Sequence, residues 1–387
     1  VGAPLVRGDR VYVPACYSEG TFHTFLLAVD RHTGEPIHTT RISIGQQELN
    51  LFGRQLQESV ATPIAEADGV LYYGTNLGII VAVDALLGSP LWLSAYPIVK
   101  IEKTYRWFEA PRRWPLIDNQ APMVSGDLLL VAPADGRHIL CLERRSGRVR
   151  WTLAYHSVSR LGFSVSTLQA VDEERVYVSG EGGVAAIWLR DDPGGAYAAG
   201  SVAWRHIFSD ASDPGTGHGV LAHNGLWIPT ERCVYGFDPT SGLATHRFDR
   251  SDDDTDMHAH LTWGDGVLVI SGRDFLSARF DENEVIKLAK ARIAARPGEV
   301  APVLAAADVY RAVGPISNAI ERYRDAIRMA RAQGIPAAVS RGQDGLHRAL
   351  LIRARQSLEE ARDRAAGEFE SAFREAPDDA ARLHARV

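Results

Sequence analysis

Short apolar runs recur along the first 280 residues, each fenced by glycine, aspartate or proline. They read "DRVYVPA" from position 9, "DGVLYYGT" from 68, "GDLLLVAP" from 126, "ERVYVSG" from 174, "NGLWIPT" from 224 and "DGVLVIS" from 265. β-Branched and aromatic residues between turn-forming ends predict strands. A second apolar run follows most of them and leads into a repeated spelling: "LAVDRHTGEPIH" (27–38), "VAVDALLGSPLW" (81–92), "LCLERRSGRVRW" (140–151) and "YGFDPTSGLATH" (235–246). Each copy holds an acidic residue, three variable positions, a glycine, three more positions, then Trp or His. A fifth, "AYAAGSVAW", keeps Gly200 and Trp204 but has Ala196 where the acid is expected. One repeat is therefore expected to be strand, turn, strand, acidic turn, strand.

The glycines Gly34, Gly88, Gly147, Gly200 and Gly242 are 54, 59, 53 and 42 residues apart. That period fits a propeller blade of roughly 40–50 residues carrying loop insertions. The chemistry of the turn accounts for its spelling. Asp30, Asp84 and Asp238 are placed to accept hydrogen bonds from N–H groups two or three residues ahead, and the glycine supplies a positive φ. The small residues Ala28, Ala82 and Gly236, two before the acid, allow close approach. Trp92, Trp151 and Trp204 are expected to bury their rings between sheets with the indole N–H on a backbone partner. His38 and His246 stand as weaker substitutes. Each copy thus reads as a staple between one blade and the next.

The pattern Ala-x-Asp-x-x-x-Gly-x-x-x-Trp over residues 5 to 280 resembles the repeat of the PQQ-like β-propellers, the superfamily of quinoprotein dehydrogenases and BamB-type outer-membrane assembly lipoproteins. The resemblance implies an all-β propeller of which about six blades are visible. Family propellers commonly have seven or eight, so one or two are expected upstream of Val1. In the dehydrogenases the resemblance implies a quinone on a tryptophan floor under adjacent disulfide-bonded cysteines, with calcium held by Glu, Asn and Asp beside a catalytic Asp. Cys16, Cys141 and Cys233 are far apart in sequence, and no segment reproduces the calcium set. No catalytic residue, cofactor or metal ligand is assigned.

After Phe280 the strand pattern stops and apolar residues recur three and four apart, which predicts helices. The boundary is drawn at 280/281, with a propeller over 1–280 and a helical region over 281–387. Val303, Ala307, Tyr310, Gly314, Ala319, Tyr323 and Ala326 resemble the packing positions of one tetratricopeptide unit, with Arg331 where that family often has proline. "GIPAAVSRGQDG" (334–345) reads as a loop, and a long charged helix is expected from about Leu346 to Ala376.

Composition narrows the function only by exclusion. Forty-two Lys and Arg stand against 48 Asp and Glu, for a net charge of −6, which gives no reason to expect nucleic acid. No stretch reaches the ~18 apolar residues of a membrane span. The three cysteines make neither a disulfide framework nor a conventional zinc site, and each reads as a buried thiol. The chain opens on strand-like sequence without a signal peptide and reads as a fragment or processed product.

Three segments invite chemistry. "TYRWFEAPRRWPLIDNQAP" (104–122) alternates Tyr105, Trp107, Phe108 and Trp114 with Arg106, Arg112 and Arg113, a composition enriched at interaction hot spots; the alternative is a loop whose aromatics are buried on a propeller face. "RSDDDTDMHAH" (250–260) offers acids for calcium and His258 with His260 for a transition metal, but lacks the calcium-loop order and reads first as a solvated connection. "DPGTGHGVLAH" (213–223) is glycine-rich but leads into a strand, so it lacks the helix N-terminus of a phosphate loop. The expectation is a non-catalytic propeller scaffold with protein partners, in the periplasm or cell envelope. Its rival is an enzyme or ligand-binding propeller whose channel site is completed by further blades.

Overall fold

The computed structural model describes residues 2–18, 21–46, 61–99, 119–180, 182–208, 215, 217–222, 225–249, 259–264, 266–272, 275–280 and 282–375. Within these, the first region consists of six antiparallel sheets in chain order. The first holds β1 (Leu5–Arg7), β2 (Arg10–Ser18), β3 (Thr21–Asp30) and β4 (Pro36–Gln46). The second holds β5 (Ile64–Ala67), β6 (Val70–Gly74), β7 (Ile79–Asp84) and β8 (Pro90–Ala95). The third holds β9 (Met123–Ser125), β10 (Leu128–Val131), β11 (His138–Glu143) and β12 (Val149–Ala154). A one-turn helix, α1 (Val158–Leu161), precedes β13 (Val165–Val171), β14 (Arg175–Gly180), β15 (Gly183–Trp188) and β16 (Val202–Ile207) of the fourth. The fifth holds β17 (Val220–Ala222), β18 (Gly225–Pro229), β19 (Cys233–Phe237) and β20 (Ala244–Asp249). The sixth has three strands, β21 (His260–Gly264), β22 (Val267–Ser271) and β23 (Leu276–Phe280).

Blades one to five have four strands each, where three were expected. The strand missed each time is the first: "LVR", "IAEA", "MVS" and "VLA" are too short to show alternation, and β13 of the fourth blade, though seven residues long, pairs with two register shifts. These first strands stand beside their counterparts in the next blade (β5 by β9, β9 by β13, β13 by β17) and so lie innermost. Apolar side chains fill the interfaces between consecutive blades: Leu26, Leu71 and Val81 between the first and second, Ile80, Leu129 and Leu142 between the second and third. Leu153, Val176 and Ile187 serve the third and fourth, Leu226, Ile228 and Phe237 the fourth and fifth. The second to fifth blades bury both faces of their middle strands, whereas β3 of the first blade and β22 of the sixth alternate between buried and partly exposed positions.

A lateral row crosses each of the five blades at the same level. Tyr12–Ala28–His38, Tyr72–Ala82–Trp92, Leu130–Cys141–Trp151, Tyr177–Ala186–Trp204 and Trp227–Gly236–His246 are cross-strand neighbours. The small middle residue leaves room for the outer two to meet over it: Tyr72 and Trp92 ring centroids are 6.2 Å apart, Tyr177 and Trp204 6.0 Å. In the fifth blade the second strand carries the indole, and the middle residue shrinks to Gly236. A Cβ there would stand 2.9 Å from the Trp227 ring.

Register shifts at the same point in all five rows, immediately after the small residue. The last strand has one extra residue there: Ile37, Leu91, Arg150, Ala203 or Thr245. Such a bulge turns the strand and re-aims the next side chain. That next residue is the Trp or His of the repeat.

The chain divides into two compact units, 1–262 with 270–277, and 263–269 with 278–387. In the second unit α2 (Glu282–Ala295), α3 (Val300–Val313), α4 (Ile316–Ala332) and α5 (Pro336–Glu375) follow in order. Val303, Leu304, Ala307, Tyr310, Ala319, Ile320, Tyr323 and Ala326 form their common core, and Gly266 lies against Val285 of α2. The loop expected over 334–345 is absent. Gln333, Gly334 and Ile335 make the turn, and α5 begins at Pro336 and runs on through 375. Gly342 and Gly345, read as breakers, are packing residues: a Cβ on the first would meet Ile327 at 2.8 Å, and one on the second would meet the Tyr323 ring at 2.3 Å. Close contact between α4 and α5 outweighs the helix propensity lost at two glycines, about 1 kcal/mol each.

Candidate functional site

The repeated turn closes on the same backbone bond in four copies, and three of them share the same carboxylate contacts as well. Asp30 Oδ1 accepts the N–H groups of His32 and Thr33, Asp84 Oδ1 those of Leu86 and Leu87, and Asp238 Oδ1 those of Thr240 and Ser241. The Thr33 and His32 amides hold the Asp30 carboxyl below its ordinary range, and the Ser241 hydroxyl and amide do the same for Asp238. Glu143 uses other partners: the Ser146 hydroxyl first, then Arg148 and Arg150, which also lower its pKa. In each copy the glycine N–H closes the turn on the acid's own carbonyl. Gly34, Gly88, Gly147, Gly200 and Gly242 all have φ between 70° and 75°.

The ring aimed by the bulge then crosses to the next blade. Trp92 Nε1 donates to the Arg144 carbonyl at 2.9 Å, Trp151 Nε1 to Leu189 at 3.0 Å and Trp204 Nε1 to Pro239 at 2.9 Å. His38 Nε2 lies 3.4 Å from the Ala85 carbonyl. Ala85, Arg144 and Pro239 each directly follow a turn acid. The ring lies against the glycine of the turn it reaches: a Cβ on Gly147 would be 2.4 Å from the Trp92 ring, and one on Gly242 2.4 Å from Trp204. Glycine is required there twice over, by φ and by the ring. Trp204 is buried; Trp92 and Trp151 are half-buried. His246 makes no such crossing among its described contacts and instead meets Thr245 and the Trp227 ring.

The fourth copy corrects the spacing read from sequence. Ala196 does not take the acid's place; Trp188 does. Its N–H bonds to the Ser201 carbonyl and its carbonyl accepts the Gly200 N–H, as the acid's groups do elsewhere. Eight extra residues separate it from the glycine. The carboxylate is replaced by a stack, Arg175 on one side of the Trp188 ring at 4.5 Å and Tyr197 at 3.8 Å. Asp192 and Asp191 cap the inserted backbone through the Ala196 and Ala199 amides.

Sequence reading missed a second donor to one of these carbonyls and an aromatic partner at another. Tyr12 Oη donates to the Ala85 carbonyl at 3.0 Å; Tyr177 Oη lies 3.3 Å from the Pro239 carbonyl but donates its proton to Asp172 Oδ2 at 2.5 Å. The signal was present in "RVYVPA" and "RVYVSG", where the same aromatic recurs. Ion pairs join neighbouring blades at this end as well, Arg144 to Asp68 and Arg190 to Asp127.

After β8, the Val99 N–H is held by the Asp135 carbonyl at 2.7 Å. Tyr96 Oη donates to Asp135 Oδ1 at 2.6 Å, and burial raises the pKa of both groups. Nearer the centre, Gln169 Nε2 donates to Ser179 Oγ at 2.6 Å and to the Gly217 carbonyl, and Gln169 Oε1 accepts the Gly219 amide. This amide ties the fourth blade to the start of the fifth. Tyr105, Arg106, Trp107, Phe108, Arg112, Arg113 and Trp114 lie outside the described residues, as do 250–258 with His258. His260 stacks on His218 with centroids 4.9 Å apart. The stretch after Gly215 leads into β17, a strand.

The residues described do not fit the quinone site of the dehydrogenases. Cys16, Cys141 and Cys233 occupy three different blades, so no two can form an adjacent pair; Cys16 is half-buried and the others buried. Burial pushes the Cys141 thiol up to about 12. Among the described residues no three of His, Cys, Asp or Glu converge as metal ligands, and no helix is long and apolar enough to cross a membrane.

A family model described as outer membrane protein assembly factor BamB matches residues 28–212, which include the first four repeat turns. Residues 28–212 thus carry the PQQ-like β-propeller repeat, and helices follow the six sheets. The chain is similar to BamB from Moraxella catarrhalis at 18% identity and a TM-score of 0.46, covering 72% of this chain and 69% of that one. It is also similar to the quinohemoprotein alcohol dehydrogenase from Comamonas testosteroni (13%, 0.48, 73% and 52%) and to a europium-containing methanol dehydrogenase (14%, 0.41, 66% and 53%). The chain spans about half the length of these two dehydrogenases. No curated protein matches it.

Proposed function

We propose that the chain is a non-catalytic propeller that acts as a protein-interaction or assembly scaffold in the periplasm or cell envelope. The observation that carries this reading is where the repeat's polar groups are used. The turn carboxylates hold their own backbone, and the indole N–H groups of Trp92, Trp151 and Trp204 hold the next blade. The repeat is thereby committed to architecture, and function falls to loops and surfaces. The match of residues 28–212 to a family described by outer-membrane assembly supports an assembly role and an envelope location. The segment holding Tyr105, Trp107, Phe108 and Trp114 is the proposed partner surface, on the strength of its aromatic and arginine composition. The helices 281–387 form the proposed second domain, with α3 and α4 as its tetratricopeptide-like unit.

Two experiments test this. Titration of the chain with pyrroloquinoline quinone and calcium, followed by absorbance and dye-linked alcohol oxidation, is expected to give neither saturable binding nor turnover. Stoichiometric binding with turnover overturns the proposal. Site-specific crosslinking from position 107 in envelope extracts is expected to give a discrete protein adduct that is lost when Tyr105, Phe108 and Trp114 are changed to Ala.

A further inference from the structure

The long helix α5 has two apolar faces, on opposite sides and in successive stretches. The first, Ala338, Gly342, Gly345, Leu346 and Ala349, packs with α3 and α4. Continued along the helix at 3.6 residues per turn, that side becomes Arg353, Gln356, Glu360 and Asp363, which are polar and exposed. From Leu351 the apolar positions move to the far side: Leu351, Ala354, Leu358, Ala361 and Ala365, spaced three and four apart. All five are exposed, Leu351 at 58% and Leu358 at 72%. An alternating three-four spacing is the seam by which helices pair.

The charges around this seam identify what fits it. Arg355 and Arg362 flank one side and Arg364 the other, while Glu359, Glu360 and Asp363 lie toward the back; Arg362 makes an exposed contact with Asp363 at 3.4 Å and Arg364 donates to the Glu360 carbonyl, and both keep further donors for a partner. We propose that residues 351–365 of α5 dock a helix of another protein whose own apolar stripe is flanked by Glu or Asp. A second copy of this chain is the poorer match. Paired in parallel, positions 355, 362 and 364 meet Leu350, Ser357 and Phe369; paired antiparallel, arginines on the same shoulder face one another. Neither arrangement puts a carboxylate against an arginine, whereas an acidic-shouldered helix pairs all three. Alanine at three of the five seam positions keeps the buried area small, so the contact depends on charge and weakens with salt. This surface belongs to the helical unit, and the proposal does not rest on the role proposed for the propeller.

The test uses the full chain and two synthetic helical peptides of about 28 residues, four heptads with leucine on the seam. One carries Glu on both shoulders, the other Lys. Fluorescence anisotropy is expected to show the Glu peptide binding about tenfold or more tightly than the Lys peptide, with loss on raising salt to about 0.5 M. Leu358→Glu, at an exposed position that leaves the fold intact, is expected to abolish binding. Equal binding of the two peptides, no binding of either, or binding unchanged by Leu358→Glu overturns the proposal. Concentration-dependent dimerisation in sedimentation that Leu358→Glu removes overturns it in favour of a second copy. Binding to anionic vesicles that the same change removes overturns it in favour of a membrane surface.

Discussion

The indole of Trp204 does two things at once at the boundary between the fourth and fifth blades: its Nε1 donates to the Pro239 carbonyl at 2.9 Å, and its ring lies flat on Gly242. The same pairing joins Trp92 to Arg144 and Gly147 two interfaces earlier in the chain. A sequence motif spread over twelve residues of one blade therefore works between two. Its Trp comes from one copy and the Gly it covers from the next.

The glycines should separate by what they touch. Gly34 needs only its positive φ, with nothing within 4 Å of a Cβ, whereas Gly147 and Gly242 also face an indole. Gly34→Ala should lose about 1–2 kcal/mol for left-handed backbone. Gly147→Ala and Gly242→Ala should lose clearly more, or fail to fold. Urea unfolding followed by circular dichroism gives the order.

The tryptophans should separate by burial. Trp204→Ala is expected to cost about 3–5 kcal/mol, as for a large core aromatic, and Trp92→Ala and Trp151→Ala less, because those rings are half-buried. Trp204→Phe keeps most of the packing and removes one donor from the Pro239 carbonyl, for a cost of about 1 kcal/mol. Thermal midpoints of the four variants check the series.

Acid should weaken the turns. Asp30, Asp238, Glu143 and Asp127 have folded-state pKa values below their ordinary ones. Their contribution is complete above the unfolded value of about 4 and is lost as pH falls through the folded values. Asp135 has the opposite sign: burial raises its pKa, so its contribution is present at low pH and lost as pH rises through the folded value. The net expectation is a midpoint that falls below about pH 4, and less steeply in an Asp30→Asn, Asp238→Asn double variant. A double variant with the parent's acid profile contradicts this assignment.

How much of this was legible in the sequence followed from range. The turn at Asp84 is set by contacts two to four residues away, so its spelling announced it. Trp188 was hidden because eight inserted residues broke the spacing that identified the other turns. The bulge at Leu91 has no spelling of its own; it exists only once β7 and β8 pair. Gly342 and Gly345 read as a loop because local propensity cannot register Ile327 and Tyr323 arriving from another helix. The aromatic and arginine segment from Tyr105 to Trp114 was noticed for its composition, and composition does not tell a partner surface from a buried loop.

Thiol reactivity gives a further check on burial. Cys141 is fully buried with its pKa pushed up to about 12, whereas Cys16 is half-buried. Native alkylation at pH 8 should label Cys16 first and leave Cys141 unmodified until the chain unfolds. Mass mapping of the labelled peptides reads this directly.

The repeat staples one blade to the next through a ring on a glycine, and the strength of that contact can be measured. A double-mutant cycle on Trp204 and Gly242 measures that contact. In the parent chain Gly242→Ala must drive a Cβ into the indole; in the Trp204→Ala background only the backbone strain remains, about 1–2 kcal/mol. Urea unfolding of the four proteins is therefore predicted to show a coupling energy of about 1 kcal/mol or more, with Gly242→Ala cheaper once the ring is gone. Costs that add to within about 0.5 kcal/mol, as for independent sites, would contradict it.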